Sequence, residues 1–166
     1  MEETFDQKRR RLFGHLEMDA YLEVLRQIIL LPIEQNNIIS IPTSDYILTQ
    51  KRIFISDFPY FRMTIRFDDR EEQLLKIIDK FFTPDDAFYL WTKYTDRCGL
   101  YRLSSLSFLN LSFPWDGIDL ISLISTSFEN EFVLDWYEEY KEHYLDISIY
   151  SSSRRFHKRM VEPLKD

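Results

Sequence analysis

Within about twenty residues the spacing of apolar side chains changes period, and that change limits the fold more than any other feature. Arg62–Phe67 alternates Met63, Ile65 and Phe67 with Arg62, Thr64 and Arg66, which is the pattern of a half-buried strand. Leu74, Leu75, Ile78, Phe81 and Phe82 then recur every three or four residues, as on one face of a helix. Asp69, with Glu72 three residues on, supplies an N-terminal cap, and TPDD (83–86) breaks the run. A half-apolar strand leading into a helix with its own apolar face needs a sheet with helices packed on it. The expected class is therefore α+β, with a mostly antiparallel sheet and two or more packed helices.

The rest of the chain is read in the same way. Thr4 with Gln7 is a capping-box pattern, so a helix is expected over Phe5–Phe13, closed by Gly14. Asp19 caps a second helix over Ala20–Leu31, with Leu22, Leu25 and Ile29 on one face and Pro32 as its stop. NNIISIP and Ile47–Ser56 read as strands, and DFPY as a hairpin connection to Arg62–Phe67. Phe88–Tyr94 is expected to be a strand, DRCG a turn, Leu100–Phe113 a long or bent strand, and Asp119–Phe128 a short helix carrying Leu120, Ile121, Ile124 and Phe128. Strand–helix–strand thus occurs twice, at 61–94 and 106–138. A shift of 44 residues lays Phe88 and Leu90 on Phe132 and Leu134, the trace a duplicated unit would leave.

Segment 131–150 (EFVLDWYEEYKEHYLDISIY) admits a helix across its middle, but alternation favours a hairpin. Phe132, Leu134 and Trp136 alternate with Val133, Asp135 and Tyr137, and Leu145, Ile147 and Ile149 alternate with Asp146, Ser148 and Tyr150. A turn near Tyr140–Glu142 joins them. The hairpin is also the most acidic part of the chain. Glu129, Glu131, Asp135, Glu138, Glu139, Glu142 and Asp146 are set against Lys141 alone, with Trp136, Tyr137, Tyr140 and Tyr144 interleaved. Carboxylates steer a basic partner at long range, and rings anchor it at low ordering cost. These residues make the hairpin the candidate partner-binding surface, with Trp136 and its neighbouring tyrosines filling a central pocket of the partner. A solvated face over ordinary core aromatics would give the same sequence.

Other chemistries find little support. The 166 residues allow one domain over 1–166, with a helical segment 1–31 and a basic end 151–166. A net charge of −7 disfavours nucleic acid and anionic membranes as partners. Three glycines leave no room for glycine-rich phosphate loops, and no nucleotide or hydrolase motif is present. His15, His143 and His157 have no ligand spacing, so no metal or cofactor is expected. The adjacent carboxylates Asp68-Asp69, Asp85-Asp86 and Glu138-Glu139 do not form an acid–base pair, because neighbours on a strand face opposite ways. Cys98 follows Arg97, which would lower a thiol pKa, but no positioned base accompanies it and no catalytic role is expected. The unpaired cysteine and the charged N-terminus MEETFDQKRRRLFG, which lacks an apolar signal core, suggest a cytoplasmic location. The basic clusters Arg9–Arg11 and Arg154, Arg155, Lys158 and Arg159 are read as offsets to local acidity.

In its small acidic chain, its strand–helix units and its aromatic-acidic hairpin, the sequence resembles the immunity proteins of contact-dependent inhibition and related polymorphic toxin systems. The likeness is one of style, and no residue carries over position by position. It implies a noncatalytic cytosolic protein that binds one cognate toxin domain, often a basic nuclease, and covers its active site. A nucleic-acid-binding or regulatory protein and a small enzyme of unrecognised type are the alternatives.

Overall fold

The computed structural model describes residues 2–114 and 118–152. The basic cluster at Arg154, Arg155, Lys158 and Arg159 lies outside them, as do His157 and most of the expected break at Pro114–Gly117.

The centre of the fold is the expected hairpin. Strands β5 (Asn130–Glu139) and β6 (Glu142–Ser151) pair antiparallel along their whole length, from Asn130 opposite Ser151 to Glu139 opposite Glu142. The other strands add to its two edges. β1 (Phe61–Arg66) pairs with β6. β4 (Leu120–Ser125) pairs with β5, then β2 (Phe88–Trp91) with β4, and β3 (Tyr101–Leu103) closes that edge. The result is one antiparallel sheet of six strands in the order β1-β6-β5-β4-β2-β3. Of the expected strand Phe88–Tyr94, Phe88–Trp91 therefore joins the same sheet as the hairpin, with β4 between them.

Alternation decides what each face meets. Phe132, Leu134 and Trp136 of β5 lie opposite Ile149, Ile147 and Leu145 of β6, and all six are buried on one face. Helices α1 (Phe5–Ile28) and α3 (Arg70–Phe81) cover that inner face, through Tyr21, Val24, Leu25 and Ile28 and through Leu74 and Ile77. Just past α3, Phe82 packs its ring 5.3 Å from Phe132 and 5.7 Å from Phe88. The stripe on α3 is turned slightly from the expected one: Ile77 is buried, whereas Leu75 is exposed. Helix α2 (Ile41–Phe54) covers part of the outer face instead.

Several sequence expectations are corrected. Residues 5–28 form one helix rather than two, because Gly14 does not stop it. The capping box at Thr4 and Gln7 is present, with Gln7 N donating to Thr4 Oγ1 at 3.2 Å and Thr4 N to Gln7 Oε1 at 2.9 Å. Gly14 is where α1 crosses the short helix α4 (Thr95–Cys98): a Cβ there would lie 2.0 Å from the Arg97 carbonyl oxygen. Residues 41–54 are helical, not a strand. Pro42 in the first turn costs no hydrogen bond, and Ile41, Ser44 and Ile47 share a buried face at helical spacing. The preceding NNIISIP is a turn of 3-10 helix at Gln35–Asn37, with only an isolated bridge from Ile38 to Tyr101.

Residues 120–125 form a strand, not a helix, so the described residues hold no second strand–helix–strand unit at 106–138 to match the one at 61–94. β4 lies between β5 and β2, with Ile121 and Leu123 inward and Ser122 and Ile124 under α2. A strand covered on both faces carries apolar residues on each side and loses the alternation that marks a strand. Finally, the expected strand at Leu100–Phe113 is only Tyr101–Leu103, followed by a 3-10 turn at Leu106–Phe108.

Gly14→Ala tests the helix crossing. In an open helix alanine gains about 1 kcal/mol over glycine, whereas here the methyl meets backbone. We expect a net loss of about 1–3 kcal/mol in chemical denaturation; a stabilised variant would mean that α1 and α4 do not cross at this distance.

Candidate partner-binding face

The acidic hairpin residues separate onto different surfaces. Trp136 is 5% exposed and stacks on Phe113 with ring centroids 5.0 Å apart. The Arg70 guanidinium caps this end of the core, lying 4.1 Å from the Phe67 ring centroid and donating from Nε to the Phe113 carbonyl at 3.0 Å. The expected role for Trp136 as a protruding anchor is therefore corrected: alternation points it inward with Phe132 and Leu134.

Glu131 is buried as well, on the outer face. Its carboxylate accepts from Ser122 Oγ at 2.6 Å and pairs with Lys51 Nζ of α2 at 2.8 Å. A cavity of about 420 Å³ opens beside this pair between α2 and the sheet. Burial of a charge requires such a partner, so the pair reads as the clamp between α2 and β5. Glu129 sits at the far end of β5, where its carbonyl accepts from Ser152 N at 2.8 Å. Ten residues of strand put it roughly 33 Å from Glu139, too far to share one small contact.

The other expected residues do come together. Asp135, Tyr137 and Glu139 on β5 and Glu142, Tyr144 and Asp146 on β6 all point to the outer face, beyond the part α2 covers. Tyr137 lies opposite Tyr144, and their rings stack with centroids 5.8 Å apart. Tyr144 Oη donates to Glu142 at 2.8 Å. β1 supplies counter-ions: Arg62 reaches Asp146 at 3.2 Å and Arg66 reaches Glu142 at 3.0 Å, while Thr64 also bonds Asp146. Sequence reasoning missed these arginines, although the alternation that turns Met63 and Ile65 inward turns them outward. Glu138 takes the opposite face, 3.3 Å from His143 Nε2.

Asp135 is the electrostatically unsettled member. It lies directly opposite Asp146, and no cation pairs with it among the described residues. Its pKa is raised, first by partial burial and then by the charges of Asp146 and Asp119. The Tyr137 hydroxyl is also raised, by desolvation and then by Asp146 and Glu139. Burial is the first cause of both shifts, and the neighbouring carboxylates add to it.

The hairpin tip adds an exposed ring. Tyr140 is 93% exposed, and Tyr140 and Lys141 form the two-residue connection with φ of 51° and 65°. Two successive positive φ angles suit Asn-Gly, so a tyrosine and a lysine here hold strained backbone.

The remaining reactive candidates lie elsewhere. Cys98 is buried, and its thiol pKa is pushed up to about 11, by burial and then by Glu17, against a smaller opposing effect of Arg97. Among the described residues no three histidine, cysteine, aspartate or glutamate side chains group to hold a metal ion, and no helix is long and apolar enough to cross a membrane. No protein-family model, curated protein or solved structure matches this chain.

Two predictions follow from the face itself. A carboxyl whose folded pKa is raised stabilises the fold below its unfolded pKa, near 4, and loses that contribution as pH rises through the higher folded value. Asp135→Asn should therefore melt above the wild type at pH 7, with the difference vanishing near pH 3. An unchanged melting temperature at pH 7 would mean that the fold does not disfavour the Asp135 carboxylate. Replacing Tyr140-Lys141 with Asn-Gly should stabilise the hairpin by about 1 kcal/mol in denaturant titration; a loss of stability would show that the tip is unstrained.

Proposed function

We propose that the chain is a noncatalytic binding protein of the immunity type, which uses the outer face of the β5–β6 hairpin to occlude a basic toxin domain, most simply the substrate groove of a nuclease. The observation that carries this reading is Asp135. Its carboxylate faces Asp146, is repelled by Asp119 and has no cation of its own among the described residues. A basic side chain of a partner would relieve that repulsion. Beside it the stacked pair Tyr137–Tyr144 offers an aromatic platform held in place before binding, and Tyr140 projects at the tip. Preorganised rings lose little freedom on association. The arginines of β1 fix Asp146 and Glu142 and leave Asp135 and Glu139 to steer the encounter.

The reading assigns charge and rings to different rate constants. With a toxin domain found encoded next to this chain's gene, or failing that a basic nuclease domain, as the partner tested, Asp135→Lys with Glu139→Lys should mainly slow association and flatten its dependence on salt. Tyr137→Ala should mainly speed dissociation, at a cost of about 2 kcal/mol if the ring is a central anchor. Both changes are on exposed positions, and thermal melting checks that the fold is kept. If folded variants bind and protect cells as the wild type does, this face is not the interface.

A further inference from the structure

Helix α1 carries a second apolar surface that the fold does not use. Its buried residues Gly14, Tyr21, Val24, Leu25 and Ile28 share one side. On the opposite side, at 100° per residue, lie Phe5, Leu12 and Leu16, exposed to 84%, 54% and 84%. Large apolar side chains in a row on the solvent side of a helix mark a contact surface rather than chance exposure. Phe13 is off this line and meets Arg97 of its own chain, 5.8 Å from the ring centroid.

The seam continues with charged residues at the same spacing. Reading along it gives Phe5, Arg9, Leu12, Leu16, Asp19 and Glu23, with steps of four, three, four, three and four residues, as in a helix-pairing seam. The signs are ordered, with the cation in the first half and the carboxylates in the second. Lys8 flanks the first half on the same side as Asp19. Two such helices side by side in parallel would set Arg9 against Arg9 and Asp19 against Asp19. Placed antiparallel and centred between Leu12 and Leu16, they set Leu12 against the copy's Leu16, Arg9 and Lys8 against the copy's Asp19, and Phe5 over the copy's Ala20 and the stem of its Glu23. A two-fold axis makes every one of these contacts twice.

We propose that the solvent side of α1 is a self-complementary interface through which two copies of this chain pair antiparallel, Arg9 of each meeting Asp19 of the other. Asp19 has no ion-pair partner among the described residues, and Arg9 meets only the exposed Asp6 at 2.8 Å. Because α1 covers the inner face of the sheet, the pairing leaves the outer hairpin face open, so it stands or falls independently of the toxin-binding reading. A single helix-on-helix contact is at the small end of specific interfaces, so the dimer should dissociate in the micromolar range.

The test is sedimentation of the full chain from about 1 to 500 µM, where dimer is expected to fill in with concentration. Leu12→Glu with Leu16→Glu should weaken association about tenfold or more, since each change removes an apolar anchor. The melting temperature of the dilute monomer should hold, because both residues are exposed. Asp19→Arg should weaken the dimer, and adding Arg9→Asp to it should restore association. Orientation is read by cross-linking. Arg9→Cys mixed with Asp19→Cys should form a disulfide between copies, whereas Arg9→Cys alone should not, its two sulfurs being about 15 Å apart along the helices. A monomer at all concentrations, a dimer untouched by the leucine changes, a charge reversal that is not rescued, or like-with-like cross-linking would each overturn the proposal.

Discussion

The rest of the molecule depends on the ten-residue antiparallel ladder between β5 and β6. Its inner face, Phe132, Leu134 and Trp136 opposite Ile149, Ile147 and Leu145, is the floor on which α1 and α3 pack. Its edges take β1 on one side and β4 on the other. A slip of one residue would turn these apolar side chains to the outer face and bring Glu131, Asp135 and Asp146 into the core, so burial on one side fixes the register. The same alternation composes the candidate site, because whatever is not inward on these strands is displayed outward.

That coupling explains why one sequence segment serves two purposes. The middle of the ladder is covered on both faces, and there Glu131 is tolerated only because Ser122 and Lys51 satisfy it. Toward the turn α2 no longer covers the sheet, and the outward residues become an exposed surface with stacked rings and clustered carboxylates. The position of α2, held by the Lys51–Glu131 pair and by burial of Ile47 and of Ile55 just past the helix, sets where core ends and surface begins. The strained turn at Tyr140 and Lys141 follows from the same economy: a two-residue connection keeps the register, and the residues in it place a ring in solvent rather than the least strained backbone.

The helices illustrate a different constraint. α1 is long enough to serve two neighbours, its inner side meeting the sheet and α4 while its outer side keeps Phe5, Leu12 and Leu16 in water. Gly14 allows the close crossing over Arg97, and Gly99, at φ 91°, ends α4 where a Cβ would lie 1.9 Å from the Ile39 carbonyl oxygen. Two of the three glycines in the chain are thus spent on contact with backbone, one by closeness and one by closeness and conformation together.

The sequence alone determined the elements whose periodicity survives burial on one side only. β1, α3, the β5–β6 hairpin and the capping box of α1 all announce themselves, because each has one face in water and one in the core. The α+β class follows from them. It also located the acidic and aromatic side chains of the candidate face. Tertiary structure decided the rest. β4 is buried on both faces, with Ile121 and Leu123 inward and Ile124 outward beside the serines, so it lacks strict alternation and its apolar spacing imitates a helix. α2 is rich in β-branched residues that favour strands locally, and packing under the sheet overrides that preference. Gly14 reads as a stop signal until α4 is seen against it. Which acidic residues act together was equally beyond local pattern: Glu131 is sealed under α2, Trp136 is held against Phe113 and Glu129 lies at the far end, while Arg62 and Arg66 arrive from a strand about eighty residues away in the chain. Sequence spacing fixes which side of an element a residue faces, but only the neighbours that the fold brings to that side decide whether it meets water, a counter-ion or the core.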